Sequence, residues 1–132
     1  MVPITNYNNL SIIQNYFKIY DDIGFVSAQK YVLPKKYDLD FPQNIKGVNQ
    51  VINLFPHLER DWREFNGGNM FWISNKVLDQ YLTDELIDYI IPKFVEGKPP
   101  NNLLDKGIYM EYVCERLFTG VFCYNKRNLY MK

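Results

Sequence analysis

The sequence predicts an α/β domain, and three observations carry that prediction. Two short apolar runs, residues 23–28 and 70–73, have the length and uniform apolarity of buried strands. Amphipathic stretches with helical spacing lie around and between them. At 132 residues, with 47% hydrophobic and 17% aromatic side chains, the chain has the size and composition of one domain with one core.

Taken in order, Leu10, Ile13, Phe17 and Tyr20 recur at helical spacing, and Asn8 or Asn9 can cap that helix. Asp21-Asp22 ends it, and Ile23-Gly24-Phe25-Val26-Ser27-Ala28 reads as a strand. Residues 29–43 hold Pro34, Pro42, paired lysines and Asp38 with little periodicity, which predicts a long surface loop of the kind that often carries function. Asn44 is placed to cap a helix over 45–54, with Val48, Val51 and Ile52 inward and Pro56 beyond its end. A turn-rich stretch over 61–69 contains Gly67-Gly68, the strongest punctuation in the chain, and leads into the second strand. Asn75 can cap the next helix and Thr83 another, in which Leu86, Ile87, Ile90, Ile91 and Phe94 form an apolar stripe expected in the core. Gly97, Pro99 and Pro100 make 96–102 a loop. A helix over 103–118 and a terminal strand over 121–124 complete the reading, with no internal repeat, low-complexity tract or domain boundary.

Fifteen basic and fifteen acidic side chains cancel, so no summed field draws in nucleic acid or an anionic bilayer. The polar N-terminus lacks the basic and apolar regions of a secretory signal, and no apolar run nears the ~20 residues that span a membrane. A cytoplasmic location is expected. Cys114 and Cys123 have no companion pair and the chain has one histidine, which argues against zinc and for two reduced, partly buried thiols.

Candidate chemistry concentrates at Phe65-Asn66-Gly67-Gly68-Asn69-Met70-Phe71-Trp72. Glycines let a ligand approach the backbone, an amide can pair with hydroxyls, and an indole packs on the apolar face of a sugar ring. The plainer reading is a turn entering a core strand with Trp72 buried. Glu111 and Glu115, four apart, share a helical face, so one can be a general base whose pKa the other raises, or Glu115 can simply pair with a neighbouring cation in solvent. Asp105 suits either a helix cap or a catalytic carboxylate. Asp38-Leu39-Asp40 matches the Asp-x-Asp pattern that holds a divalent cation on a sugar diphosphate, yet Pro34-Lys35-Lys36-Tyr37 precedes it where an apolar strand is needed. His57 and the Lys35-Lys36 pair read as surface features.

The Phe65-to-Trp72 block, joined to Glu115-Arg116-Leu117-Phe118, resembles bacterial and viral polysaccharide glycosyltransferases of the rhamnan-synthesis F type and related capsular transferases. Ile23-Gly24-Phe25-Val26 supplies the first strand of that pattern, and the resemblance covers about residues 10–124. It implies a partial GT-A-like fold, a layered α/β/α domain with a short mixed sheet. It also implies transfer of a hexose or deoxyhexose from a nucleotide sugar to a saccharide acceptor. Gly67, Gly68 and Asn69 would form the pocket wall, Trp72 would stack on sugar or fill the core, Asp105 or Glu115 would be the base, and Arg116 would orient Glu115. The family's donor half would precede residue 1, since such a domain needs ~200–250 residues. The chain is thus expected to be the acceptor-side, C-terminal part. A divalent cation (Mn²⁺ or Mg²⁺) belongs to the complete enzyme, with no metal ligand expected here. The edge left by a missing half suggests a homodimer or a partner transferase. A non-catalytic remnant that binds glycan or stabilises a partner is the alternative.

Overall fold

The structure, a computed structural model, describes residues 7–68, 70–94 and 108–132. Helix α1 (Tyr7–Ile19) places Ile13 and Phe17, one turn apart, on the same inward face. Strand β1 (Ile23–Ala28) follows and is buried at all six positions. It is the centre of a three-stranded mixed sheet, antiparallel to β4 (Phe71–Ile73) and parallel to β5 (Arg127–Met131). A strand covered on both faces reads as a continuous apolar run, which is why it was visible in the sequence.

The register with β5 shifts between Ile23 and Val26. Gly24 sits at that shift, where an added Cβ would lie 2.7 Å from Asn128 Oδ1 and 2.8 Å from Cys123 Sγ. Asn128 Oδ1 accepts from the Phe25 N–H at 3.2 Å, substituting for a ladder bond. The shift resets the alternation of side chains. Ile23 and Val26 both pack under α1 with Trp72 and Leu129, while Phe25 joins the main core.

That main core lies on the other face. Helix α2 (Pro42–Leu54) crosses α5 (Met110–Arg116) closely, because an added Cβ on Gly47 would fall 2.6 Å from Val113 and 2.7 Å from Ile108. Helices α3 (Asn75–Tyr81) and α4 (Asp84–Ile90) add Val77, Tyr81, Leu86 and Ile90. A second ladder pairs β2 (Val32–Pro34) with β3 (Glu64–Asn66), antiparallel, Leu33 opposite Phe65. None of the described helices is long and apolar enough to cross a membrane.

Several sequence expectations are corrected. The expected loop over 29–43 is ordered as a 3₁₀ turn (Gln29–Tyr31), β2, a longer 3₁₀ stretch (Lys35–Asp40) and the start of α2. Pro42 occupies the first turn of α2, where its missing N–H costs nothing, so Asn44 lies inside the helix and does not cap it. Helix α1 begins ahead of Asn8 and Asn9. Ser74, not Asn75, caps α3, its Oγ accepting from Lys76 N at 3.2 Å, while Thr83 caps α4 through Leu86 N at 3.3 Å. Helix α4 stops at Ile90 before a 3₁₀ turn (Ile91–Lys93), so Ile91 and Phe94 are exposed instead of continuing the stripe. Within the turn-rich 61–69 region, Trp62 and Phe65 are buried core and residues 64–66 form β3.

The last element also differs. Helix α5 continues as a π-helical stretch (Leu117–Val121), and Val121, Phe122 and Cys123 are core residues there, not a strand. A short apolar run has the same composition in either setting. Gly120 admits the arrangement, since a Cβ there would meet the Glu64 carbonyl at 3.1 Å and Trp62 Cβ at 3.3 Å. The terminal strand is the less apolar β5, held by its parallel pairing to β1. Asp105 and Asn69 lie outside the described residues, as does the expected start of the 103–118 helix.

Candidate functional site

A cleft of about 280 Å³ opens beside α5, between the β2–β3 ladder and the segment that joins β2 to α2. Its walls are largely apolar: Leu33, Tyr37, Phe41, Phe65 and Tyr112. The polar members are Asn44, Gly67, Glu115 and Arg116. Tyr37 stacks obliquely between Phe41 (5.2 Å between centroids) and Phe65 (6.3 Å), which ties the 3₁₀ stretch to β3.

The floor is an ion cluster. Arg116 donates through Nε to Asp38 Oδ2 and through Nη2 to Asp38 Oδ1, both at 2.8 Å. Its Nη1 donates to the Tyr112 carbonyl at 2.9 Å and to Glu115 Oε1 at 3.2 Å. The guanidinium plane also covers the Phe65 ring at 4.0 Å. Asp38 is fully buried and accepts additionally from Asn44 Nδ2 at 3.3 Å. A buried bidentate pair of this kind is tolerated because Asp38 accepts a further bond from Asn44 and Arg116 donates two more to Tyr112 and Glu115.

Glu115 is buried, 7% accessible, and forms the edge of that cluster that lines the cleft. Burial raises its carboxyl pKa above the usual range; Arg116 opposes the rise, and the Asp38 carboxylate adds to it. The neighbouring acid that matters is therefore Asp38, from a distant segment. Glu111, on the same helix, is exposed, so the two glutamates do not share an environment.

The Gly67–Gly68 turn is held from below by Asn66. Its Oδ1 accepts from the N–H groups of Gly68 (2.9 Å) and Met70 (3.3 Å), and its Nδ2 donates to the Met70 carbonyl and to Ser27 Oγ. Asn66 N donates to Thr119 Oγ1, which in turn donates to the Glu115 carbonyl at 2.9 Å. The turn and the glutamate helix are thereby joined through one hydroxyl. Gly67 lines the cleft, where an added Cβ would lie 2.7 Å from Leu33 Cδ1. Gly68 sits against the Tyr31 ring instead.

Of the residues singled out in the sequence, Gly67, Glu115 and Arg116 thus come together. Trp72 does not join them. It lies across the sheet under α1 and lines a different groove with Ile13 and Phe17. Sequence reasoning missed Asp38 as the partner of Arg116, and the aromatic walls Tyr37 and Phe41. The available signal is a run of aromatics, Tyr31, Tyr37 and Phe41, through the segment whose weak periodicity predicts a surface loop. Asp38 and Asp40 do not fit a divalent cation: both Asp38 oxygens face Arg116 in the interior while Asp40 is exposed. Among the described residues no group of three or more His, Cys, Asp or Glu is placed to hold a metal ion.

Burial pushes the thiols of Cys114 and Cys123 up to about 12, and both are free, so neither is poised as a nucleophile. The chain matches no protein-family model, no curated protein and no solved structure.

Proposed function

We propose that the chain is the acceptor side of a glycosyltransferase-type domain, GT-A-like in plan, and that its cleft presents a saccharide hydroxyl to Glu115. The supporting observation is a carboxylate at the rim of an aromatic-walled cleft, with its pKa raised above the usual value and its geometry set by Arg116 and Asp38. A raised carboxyl pKa suits a general base working near neutrality. In the transfer, the acceptor oxygen bonds to the anomeric carbon of a hexose or deoxyhexose as the bond to the nucleotide diphosphate breaks. The bonding pair leaves with the phosphate oxygen, and the hydroxyl proton passes to Glu115. The donor half comes from another segment or chain. The small, apolar cleft offers ring faces for stacking and a glycine backbone for close approach, as sugar sites require.

The test is a calorimetric titration of the purified chain with short oligosaccharides, and separately with nucleoside diphosphates and Mn²⁺. Saccharide binding without metal-dependent nucleotide binding is the expected result. Nucleotide binding that requires metal, with no saccharide binding, overturns the reading. A second reading, a glycan-binding module without catalysis, is favoured by one observation. Four of the five N–H groups of Arg116 are occupied within the protein, so among the described residues that line the cleft no cation is free to grip a leaving phosphate. Turnover in the presence of a donor half separates the two, because only the first predicts its loss in Glu115→Gln.

A further inference from the structure

The electrostatics of the cleft specify its occupant more narrowly. Among the described residues its charged lining is Glu115 and Arg116, and Asp38 stands directly behind the guanidinium. Two carboxylates therefore share one cation, and the cluster carries a surplus of negative charge. That cation is turned inward: Nε, Nη1 and Nη2 all donate to protein acceptors, and one face of the guanidinium lies against Phe65. Bidentate recognition of a ligand carboxylate or phosphate needs two parallel free N–H groups on one edge of the fork, and Arg116 has no such edge left. The cleft thus presents the Glu115 carboxylate and a guanidinium already engaged, beside aromatic and aliphatic surface. The volume, about 280 Å³, lies just under the ~300–1,000 Å³ of pockets that enclose drug-sized ligands, and so suits one ring of a chain.

We infer that the cleft takes an uncharged or ammonium-bearing pyranose ring and rejects a uronate or a phosphorylated sugar. This rests on the saccharide reading above. An anionic ring would bring like charge against the largely buried Glu115, where such juxtapositions are unfavourable. A neutral ring meets Glu115 through a hydroxyl donor and the aromatic walls through its C–H face. An ammonium group gains an ion pair at the same position.

The experiment is an NMR titration of the intact 132-residue chain at pH 8 and low salt. The probes are the methyl glycosides of glucose, rhamnose, glucosamine and glucuronic acid. Shifts confined to residues of the cleft are followed for wild type and Glu115→Gln. Binding of at least one neutral or amino glycoside, with glucuronide at least tenfold weaker, is expected. In Glu115→Gln the penalty on glucuronide should shrink several-fold, and 0.5 M salt should shrink it in wild type. Glucuronide binding as tight as the neutral glycosides, or a penalty unchanged in Glu115→Gln, overturns the charge selection while leaving a saccharide site. No shift in the cleft with any of the four overturns the saccharide reading itself.

Discussion

Replacing Arg116 by methionine removes the cation on which the cleft is built and leaves most of the packing volume in place. The fully buried Asp38 would lose two charge-assisted bonds of 2.8 Å and retain the weaker one from Asn44 at 3.3 Å. An uncompensated buried carboxylate of this kind costs about 3–5 kcal/mol, a large share of the roughly 5–15 kcal/mol that holds a domain folded. Loss of the guanidinium from the Phe65 face adds about 0.5–2 kcal/mol. For a chain of this length the midpoint of thermal unfolding should fall by roughly 10–25 °C. The assay is urea denaturation of wild type, Asp38→Leu, Arg116→Met and the double variant, followed by circular dichroism. Each single variant should be strongly destabilised, whereas the double variant, which no longer buries an unpaired Asp38 and leaves only Glu115 without its cation, should recover part of the loss. A single Arg116→Met variant less than about 1 kcal/mol below wild type, or losses that simply add, would refute the reasoning.

Three further outcomes follow from the same geometry. Gly47→Ala should lower stability by about 1–2 kcal/mol, because crowding of Val113 and Ile108 by the new methyl outweighs the gain in helix propensity; a higher melting temperature would contradict the close α2–α5 crossing. Native protein should resist alkylation at both cysteines at pH 8 and react fully once unfolded, which mass spectrometry of iodoacetamide-treated samples reads directly. Because the Glu115 carboxyl pKa is raised in the folded state, the protonated form stabilises the fold; this contribution is complete below the usual value of 4.5 and lost as pH rises through the folded value. Wild type should therefore gain stability relative to Glu115→Gln as pH falls from 7 toward 4.5, and a difference that stays flat or reverses would count against the burial assigned to Glu115.

Elements whose signal is local were legible in the sequence. The β1 run, the α1 face of Ile13 and Phe17, the α2 face of Val48, Val51 and Ile52, and the Thr83 cap each depend on residues within a few positions of one another. The short mixed sheet around β1 agrees with the fold that the resemblance implies, whereas its strand order and register were not legible. Strand identity at the C-terminus was not legible. Residues 121–123 are more apolar than β5, yet β5 is the strand, because the choice was made by pairing to β1 across a hundred residues of chain.

The candidate site divides along the same line. From the sequence alone came the residue types: a glycine turn at 67–68, a glutamate and an arginine on one late helix, and aromatics throughout. Tertiary structure decided which of them meet. Asp38 and Arg116 are 78 positions apart, and no periodicity or spacing encodes a contact of that range. Trp72, four residues beyond the glycine pair, was carried to the opposite side of the sheet because β4 must place alternate side chains on alternate faces. Asp38 looked like loop charge because its burial depends on Arg116 being delivered by α5, and charge becomes structural only when a distant partner makes its desolvation tolerable.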